Sequence, residues 1–337
     1  MNLNTRILET NKSHLKNMNK IKILDDKYKK INNISNYYRY LKKPNKVTDY
    51  AYVTIIFNDN KYIPGILNLG YNLKYNIKTS YNLICLVQDK PYYENNAIKF
   101  NGLTENEIED IKKIYDVVIG IDILKTSQQK VYNKEYTNIS YYCTKLLCLG
   151  LVEYKKLIFM DASIYINKNI DYFFKKYNES SYYLAFSHER TNRGLPGNFF
   201  LFIPKKYYIL KGIYIAENYN NLFGNDYSYF TPDEDVLFYT IFPNWSKTIL
   251  SQTEQLVYNN PKPRIQMDVN DDYLIYCYIR IKPFRYPLLP NFEERFLFNN
   301  YYSFYNKWDL VVKVLIKTFP EFKKYYDFIK TYRYTDF

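Results

Sequence analysis

Residues 51–57 read AYVTIIF, a continuous apolar run that the polar stretch NDNKY follows at once. Such a run, rich in β-branched residues, is typical of a strand buried on both faces of a sheet. Three further runs of this kind follow: YNLICLV at 81–87, DVVIGID at 116–122 and KKLIFMD at 155–161. Helix-length segments separate the runs, and this alternation predicts βαβ units and a mostly parallel central sheet in an α/β fold.

The segments between the runs carry helical signals. Residues 63–76 place apolar side chains on one helical face. Thr104 and Glu107 form a T-x-x-E capping box, which predicts a helix that ends at about Tyr115, and a further helix is predicted near 141–153. In the second half, the patterns predict strands at 181–187, 198–204 and 273–279, and helices at 207–221, from Thr231, and near 308–318.

Composition and patterning divide the chain into three regions. Residues 1–48 are rich in Asn and Lys, which predicts a basic, partly disordered N-terminal arm. Residues 49–290 carry the alternating strands and helices of the main domain, and residues 291–337 predict a helical tail that packs on or extends it. Hydrophobic residues make up 47% and charged residues 24% of the 337-residue chain, which suits one large domain with appendages.

Composition also excludes several classes of protein. No apolar run reaches about 18 residues, so the sequence predicts no membrane span. The N-terminal residues are too polar for a signal peptide and the cysteines are scattered, which together predict a cytoplasmic protein. Only two His residues are present, so a multi-histidine metal site is excluded. The excess of Ile, Lys, Asn and Tyr is typical of an AT-rich genome, such as that of a large DNA virus acting in its host cell or that of an AT-rich protist.

Polar residues at the ends of the predicted strands are the first candidates for a site. In open α/β sheets, ligands bind beyond the carboxyl ends of the strands. Asp161 closes the run at 155–161, and Asn58 and Asp59 follow the run at 51–57. We expect these residues, together with Thr54, to converge on one edge of the sheet. Neither a dinucleotide fingerprint nor a P-loop is present.

A series of short segments resembles glycosyltransferase family 8, the glycogenin-like enzymes. The stretch AYVTIIFNDNKYIPG at 51–65 resembles the opening of that family, and Asp161-Ala162-Ser163 falls at its D-x-D segment. Further matches follow in the family's order at 115–122, 144–149, 169–174, 199–204, 233–237 and 282–284. The resemblance covers about residues 50–286, and the order and spacing of the segments make it specific.

The resemblance implies a GT-A fold, a Rossmann-like nucleotide-sugar-binding domain with a mostly parallel sheet flanked by helices. It implies transfer of a hexose from a nucleotide sugar, usually a UDP-sugar, with retention of configuration. The acceptor, a protein or a glycan, is not identified by the sequence. Because the leaving group is a nucleoside diphosphate, such an enzyme must neutralise charge that develops on a phosphate oxygen.

The resemblance also assigns roles to individual residues. Lys145 and Asp233 match groups near the donor sugar and the reacting centre, and they are the predicted catalytic residues. The predicted donor-binding residues are Thr54, Asn58, Asp59, Asp161, Lys282 and Arg280, of which Asn58 and Asp59 match positions that meet uridine and ribose. Each of the charged residues also has a structural interpretation: Lys145 as a solvated helix lysine, Asp233 as a first-turn helix acid, and Lys282 and Arg280 as ordinary surface charges.

The metal site of the family is altered in this sequence. The family binds Mn²⁺ through two carboxylates of D-x-D and a later His, in keeping with the preference of this ion for hard oxygen ligands and imidazole. Asp161 is retained, whereas Ser163 and Tyr276 stand at the other two ligand positions. The alternative to an Mn²⁺ site is metal-independent binding of the diphosphate, in which Lys282 and its neighbours supply the positive charge.

Two alternatives to an active transferase stay open. The replacements at Ser163 and Tyr276 suit a degenerate member of the family that keeps the fold and acts as a binding or host-interaction protein. The net charge of +13 suits a basic nucleic-acid-binding protein, which we rank below both because the basic residues are spread through the chain. A UDP-sugar is therefore the expected partner, nucleic acid is not, and the sequence is compatible with an oligomer.

Overall fold

A computed structural model of the chain describes residues 35–57, 59–127, 139–176, 197–223, 256–258, 274–277 and 302–327. The strands are β1 (Tyr38–Lys42), β2 (Tyr50–Ile56), β3 (Asn82–Val87), β4 (Tyr92–Glu94), β5 (Ala97–Phe100), β6 (Val117–Ile121), β7 (Lys156–Met160), β8 (Ile164–Ile166), β9 (Phe199–Phe202), β10 (Leu256–Tyr258) and β11 (Ile275–Cys277). The α-helices are α1 (Ile63–Tyr71), α2 (Glu105–Ile114), α3 (Phe173–Lys176), α4 (Lys206–Glu217), α5 (Tyr219–Phe223) and α6 (Tyr302–Thr318).

The central sheet has six strands in the order β1-β6-β3-β2-β7-β9. The inner strands β6, β3, β2 and β7 are mutually parallel, and β1 and β9 close the two edges as antiparallel partners of β6 and β7. Strands β10, β11 and β8 form a second sheet, and β4 and β5 form a hairpin. The predicted α/β class and the mostly parallel central sheet flanked by helices are therefore confirmed.

Each face of the sheet packs against its own layer of helices. Alternate residues of a strand point to opposite faces, so Tyr52 and Ile56 lie in a core with α1, α2 and α6. Ala51, Val53 and Ile55 lie in a second core with α4 and the turn at 139–150. Burial on both faces explains why the strand sequence is continuously apolar and not alternating.

Strand β1 lies within the region that the sequence assigned to the basic arm. It pairs with β6 in antiparallel register, with Arg39 opposite Gly120. The hydroxyl of Tyr38 donates to the carbonyl of Leu147 at 2.7 Å, which ties the strand to the layer beneath it. Residues 38–42 of the predicted arm therefore form an ordered strand of the central sheet. Residues 1–34 lie outside the described residues, and the predicted boundary at residue 290 stays a prediction.

Helix α6 is longer than the predicted helix near 308–318, because it begins at Tyr302. Trp308 is 2% exposed in the core, and its carbonyl accepts from the side-chain amide of Asn68 at 3.2 Å. Farther on, the hydroxyl of Tyr326 donates to the carbonyl of Pro64 at 2.8 Å. The C-terminal segment thus packs on α1, whose first turn begins close to the carboxyl end of β2.

The other predicted helices agree with the structure to different degrees. The capping box of Thr104 and Glu107 is formed in both directions at the start of α2. Helix α1 ends at Tyr71 and continues as a turn of π-helix, Asn72–Asn76. The predicted helix near 141–153 is a 3₁₀ segment, Ile139–Gly150. The strand predicted at 181–187 and the helix predicted from Thr231 lie outside the described residues. Within the described ranges, no helix is long and apolar enough to cross a membrane.

Candidate functional site

The order of the parallel strands creates a switch point beside β2. From β2 the chain moves outward through β3 to β6, and it then returns to place β7 on the other side of β2. Ligands of open α/β sheets bind in the crevice at the carboxyl ends of the strands where this reversal occurs. Asp59 follows β2 and Asp161 follows β7, so the predicted site residues border this crevice.

Asp161 begins a tight turn at the end of β7. Its backbone N–H donates to the carbonyl of Asn198 at 2.8 Å, and its carbonyl accepts from the N–H of Ile164 at 3.0 Å. The side chain is partly exposed, whereas Ser163 is buried, with 3% of its surface exposed. The turn therefore presents one carboxylate to the crevice and carries Ser163 into the interior before β8 begins.

Lys145 is the buried cation of the crevice. Only 8% of its surface is exposed, and its Nζ donates to the carbonyl of Gly197 at 3.0 Å. The same ammonium lies 5.9 Å from the centre of the Phe159 ring on β7. Because the next carbonyl along the chain, that of Asn198, accepts from Asp161, one short segment holds both Lys145 and Asp161. The interpretation of Lys145 as a solvated helix lysine is excluded by this burial.

A cleft of about 160 Å³ opens at the carboxyl ends of β2 and β3, lined by residues that include Phe57, Asp59, Gln88, Asn101 and Leu103. Asp59 caps the 3₁₀ turn Asn60–Tyr62, and its Oδ1 accepts from the N–H of Lys61 at 3.0 Å. The cap fixes the carboxyl group beside the cleft, so Asp59 lies where it was predicted.

Gln88 and Gly102 shape this cleft and were not identified from the sequence. Gln88 is 1% exposed; its N–H donates to the carbonyl of Ile56 at 3.0 Å, and its own carbonyl accepts from Leu103 at 2.8 Å. Gly102 has φ +77°, and a Cβ there would lie 2.9 Å from the carbonyl of Lys90. Gln88 directly follows a predicted strand, so the rule that identified Asn58 could have identified it.

Thr54 does not lie at the open edge of the sheet. It is 2% exposed in the middle of β2, where it pairs with Cys85 of β3. Its hydroxyl has no hydrogen-bond partner among the described residues. The expectation that Thr54 converges with Asp59 and Asp161 is therefore corrected, since its side chain lies within the core.

Several predicted site residues lie outside the described residues: Asn58, Asp233, Arg280 and Lys282. The backbone of Tyr276 is described in β11, where residue 276 pairs with Tyr165 of β8. Strand β8 begins directly after Ser163, so β11 runs beside the strand that follows the altered D-x-D segment. The backbone therefore places residue 276 two positions along the ladder from Ser163, and the roles assigned to these two residues stay predictions.

The described donor atoms do not fit the manganese site that the resemblance implies. Asp161 offers one carboxylate, while the buried Ser163 offers only a neutral hydroxyl. In the described part of the chain, no group of three or more His, Cys, Asp or Glu residues is close enough to hold a metal ion. Mn²⁺ favours carboxylate and imidazole ligands, so the carboxylate pair of the family's site is not reproduced.

The chain is similar to several proteins of known sequence. It is 33% identical over 129 residues to the uncharacterized protein R707 of Acanthamoeba polyphaga mimivirus, which covers 38% of this chain and 41% of that protein. It is 25% identical over 220 residues to glycogenin-1 of Mus musculus, covering 63% and 56% of the two chains. Galactinol synthase 7 of Arabidopsis thaliana is 28% identical over 122 residues, covering 36% and 32%. No protein-family model matches the chain.

These relatives confirm the predicted resemblance to glycogenin-like proteins. The matched parts of the viral protein and of mouse glycogenin-1 span 41% and 56% of those proteins, or about half their length. Among solved structures, the glycosyltransferase GlyE of Streptococcus pneumoniae is similar with a TM-score of 0.47 and 14% identity, covering 80% and 63% of the two chains. The galactosyltransferase LgtC, solved with donor and acceptor sugar analogues, gives a TM-score of 0.46 and 9% identity, covering 75% and 95%.

Proposed function

We propose that the chain is a GT-A glycosyltransferase that moves a hexose from a UDP-sugar to an acceptor with retention of configuration. The observation that carries the proposal is the placement of Asp161 and Lys145 beside one segment at the switch point of the sheet. The backbone N–H of Asp161 and the Nζ of Lys145 donate to the consecutive carbonyls of Asn198 and Gly197. Similarity to glycogenin-1 and to galactinol synthases supports the same class of reaction.

The cleft beside β2 and β3 is the proposed place of the nucleoside. Asp59 offers a carboxylate, which accepts hydrogen bonds from sugar hydroxyls, and Asn101 offers an amide that can both donate and accept. Phe57 and Leu103 supply apolar surface for the flat face of a base. The exposed lining of the cleft is mainly polar, which suits a ligand that carries several hydroxyl and carbonyl groups.

Lys145 is the proposed electrostatic partner of the reacting centre. An ammonium ion in a site of low dielectric stabilises negative charge far more strongly than the same ion in water. Its burial against Phe159 and its bond to Gly197 fix the position of this charge before the reaction begins. Asp161 lies on the neighbouring turn and is proposed to orient the donor sugar.

We propose that the diphosphate is bound without the usual metal ion. The chemistry of the described donors favours this proposal, because a hydroxyl replaces the second carboxylate at Ser163. Lys282 and Arg280 are the proposed cations on the diphosphate, and Asp233 is the proposed carboxylate at the reacting centre. Cationic side chains form short, strong hydrogen bonds with phosphate oxygens.

A binding protein that retains the fold is the second candidate. The replacements at Ser163 and Tyr276 favour it, because they remove ligands on which the family's chemistry depends. Such a protein would bind a nucleotide sugar at the same crevice without releasing UDP. The similarity to a mimivirus protein supports a viral origin for either candidate, with action in the cytoplasm of a host cell as our proposal.

Release of UDP from UDP-glucose and UDP-galactose separates the two candidates. Purified protein is incubated with each donor in Mn²⁺ and in EDTA, and UDP is measured with a coupled assay. An active transferase releases UDP slowly by hydrolysis even without an acceptor, and Asp161→Asn abolishes this release. Binding of the donor with no release by the wild-type protein would favour the binding protein, and neither binding nor release would contradict both.

A further inference from the structure

A bridge of charged side chains crosses the sheet next to the cleft. Arg39 of β1 donates from Nε and Nη2 to the two carboxylate oxygens of Asp89, at 3.0 and 2.6 Å. Its remaining nitrogen, Nη1, lies 2.8 Å from Oδ1 of Asp122, directly after β6. The guanidinium therefore joins an edge strand to the carboxyl ends of two inner strands. We call this set of three residues the Arg39 bridge.

The bridge passes over Gly120, where any side chain would push the carboxylate of Asp89 aside. In the β1–β6 register Arg39 stands opposite Gly120, while Asp89 belongs to the segment after β3, on the far side of β6. A Cβ on residue 120 would lie 2.5 Å from the carboxylate of Asp89, closer than non-bonded atoms approach. The glycine thus leaves the space in which the side chains of Arg39 and Asp89 meet.

Partial burial makes this ion pair stronger than an ordinary surface pair. The side chain of Asp89 is 9% exposed and that of Arg39 is 24% exposed. The planar guanidinium forms two parallel hydrogen bonds with one carboxylate, the geometry in which Arg is most effective. Exposed pairs such as Lys155–Asp49, with side chains 69% and 61% exposed, contribute little in comparison.

Asp89 connects the bridge to the wall of the cleft. It directly follows Gln88, whose backbone bonds join the ends of β2 and β3 to Leu103. It also begins the segment that leads into the β4–β5 hairpin and returns as Asn101 and Leu103, which line the cleft. Holding Asp89 in place therefore holds both Gln88 at the end of β3 and the start of the segment that leads to Asn101 and Leu103.

We propose that Arg39 is a positioning residue for the cleft and that this one residue of β1 thereby contributes to the nucleotide site. That the cleft binds a nucleotide rests on the proposed function, whereas the ordering of the cleft wall by Arg39 does not. At its far end the hairpin has a separate anchor, since Glu94 binds Lys125 and Tyr141. Loss of Arg39 is therefore expected to loosen the wall without undocking the hairpin.

Three variants weaken the bridge by different routes, and two serve as controls. Arg39→Ala removes the cation, and Gly120→Ala pushes Asp89 away while leaving Arg39 intact. Arg39→Lys keeps the charge but loses the paired hydrogen bonds. Tyr38→Phe removes the bond from β1 to Leu147 and controls for general loosening of the edge strand. Lys155→Ala removes an exposed ion pair at the opposite edge of the sheet.

The test combines amide hydrogen exchange with titration of UDP. Arg39→Ala and Gly120→Ala should each speed exchange of the Gln88 and Leu103 amides by at least about tenfold, because local opening then requires less free energy. Arg39→Lys should fall between them and the wild type, and neither control should alter these amides. The same ranking of the variants is expected for the Kd of UDP, which should rise by about tenfold in Arg39→Ala.

Each outcome decides between the inference and the function. If the wild type binds UDP and Arg39→Ala behaves like Tyr38→Phe in both measurements, the positioning role is wrong. If the wild type binds no nucleotide, the proposed function fails, and the exchange rates alone decide whether the bridge orders the wall. Faster exchange with an unchanged Kd would overturn the part of the inference that links Arg39 to the nucleotide.

Discussion

The two ends of the parallel strands carry similar acidic residues in different surroundings. At the amino ends, the carboxylate of Asp116 accepts from the N–H of Leu83 at 3.0 Å and from Lys74 at 2.8 Å. Asp171 accepts from the hydroxyls of Tyr52 and Thr79, both at 2.7 Å. These acids join loops to strands. At the carboxyl ends, Asp161 and Asp59 border a crevice and a cleft instead.

Residue type alone does not identify a site in this sheet. Asp171 belongs to the segment 169–174 that resembles a family motif. Its carboxylate nevertheless accepts from Tyr52 of β2 and from Thr79 just before β3, so its contacts are structural. Asp161 lies in a segment of similar length and composition, but the strand order places it at the switch point. The edge of the sheet on which an acid lies therefore separates a structural acid from a candidate functional one.

Substitution at the carboxyl ends of the strands should lower activity strongly, whereas substitution at the amino ends should not. Asp161→Asn should lower the rate of UDP release by about 1,000-fold, equivalent to about 4 kcal/mol of transition-state stabilisation. Its melting temperature should stay close to that of the wild type, because the side chain is partly exposed. Asp116→Asn is the matched control at the amino edge and should lower stability with little change in rate per folded molecule. Equal rates for Asp161→Asn and the wild type would remove the distinction.

The second prediction concerns the free energy of unfolding and the acidic residues at the amino ends of the strands. Asp171→Ala leaves the hydroxyls of Tyr52 and Thr79 without their shared acceptor, and Tyr52 is buried. We expect the free energy of unfolding in urea to fall by about 2 to 3 kcal/mol. Lys155→Ala, at the same edge but exposed, should change it by less than about 0.5 kcal/mol. Similar losses in the two variants would show that the network around Asp171 does not hold the strands.

Restoring the family's ligands tests the carboxyl edge in a different way. The double change Ser163→Asp and Tyr276→His should raise the affinity for Mn²⁺ by about tenfold in calorimetric titration, since it adds a carboxylate and an imidazole. The matched control is Ser163→Ala with Tyr276→Phe, which adds no ligand. No gain over this control would mean that residues 163 and 276 do not face one site.

The smallest effect concerns pH and an acid remote from both edges. Burial acts to raise the pKa of Asp110, but hydrogen bonds from Lys324, Lys113 and Tyr325 outweigh it and hold the pKa below its usual range. The unfolded chain therefore takes up this proton first, so the stabilisation is present above pH of about 4 and is lost as the pH falls further. Asp110→Asn removes this contribution to the acid-induced loss of stability.

Acid titration of the two proteins, followed by circular dichroism, checks this expectation. The wild type should lose more stability than Asp110→Asn between pH of about 5 and 2. When each curve is scaled to its own value at neutral pH, the midpoints of the acid-induced loss should differ by roughly a few tenths of a pH unit. Parallel acid limbs for the two proteins would show that Asp110 does not contribute. Nucleotide binding at neutral pH should be the same in both, in contrast to Asp161→Asn.

The inner strands of the sheet were predictable because burial on both faces leaves a local signal. The apolar runs predicted β2, β3, β6 and β7 to within a residue or two at each end. Strand β1 was missed, because an edge strand faces solvent and its sequence YRYLK mixes aromatic and basic residues. The segment Ile139–Gly150 has the apolar content of an α-helix, and no local feature of the sequence indicated its tighter 3₁₀ winding.

The candidate site was predictable only where it depends on position along a strand. Asp59 and Asp161 follow apolar runs, and Lys145 came from the resemblance. Arg39 and Asp89 are 50 residues apart in sequence, and nothing local links them before the strands are paired. Thr54 stands at the centre of the run at 51–57, so its depth within the strand could have been inferred from the sequence, and its assignment to the edge was wrong.

The most direct test of a nucleotide site at the carboxyl edge is thermal unfolding with UDP and with UDP-glucose, each in Mn²⁺ and in EDTA. A ligand at about 100 times its Kd adds about 2.7 kcal/mol of stability, which raises the melting temperature of a chain of this size by several degrees. We predict a rise of this size that is the same in EDTA as in Mn²⁺. No rise with either nucleotide, in the presence or the absence of Mn²⁺, would contradict the account.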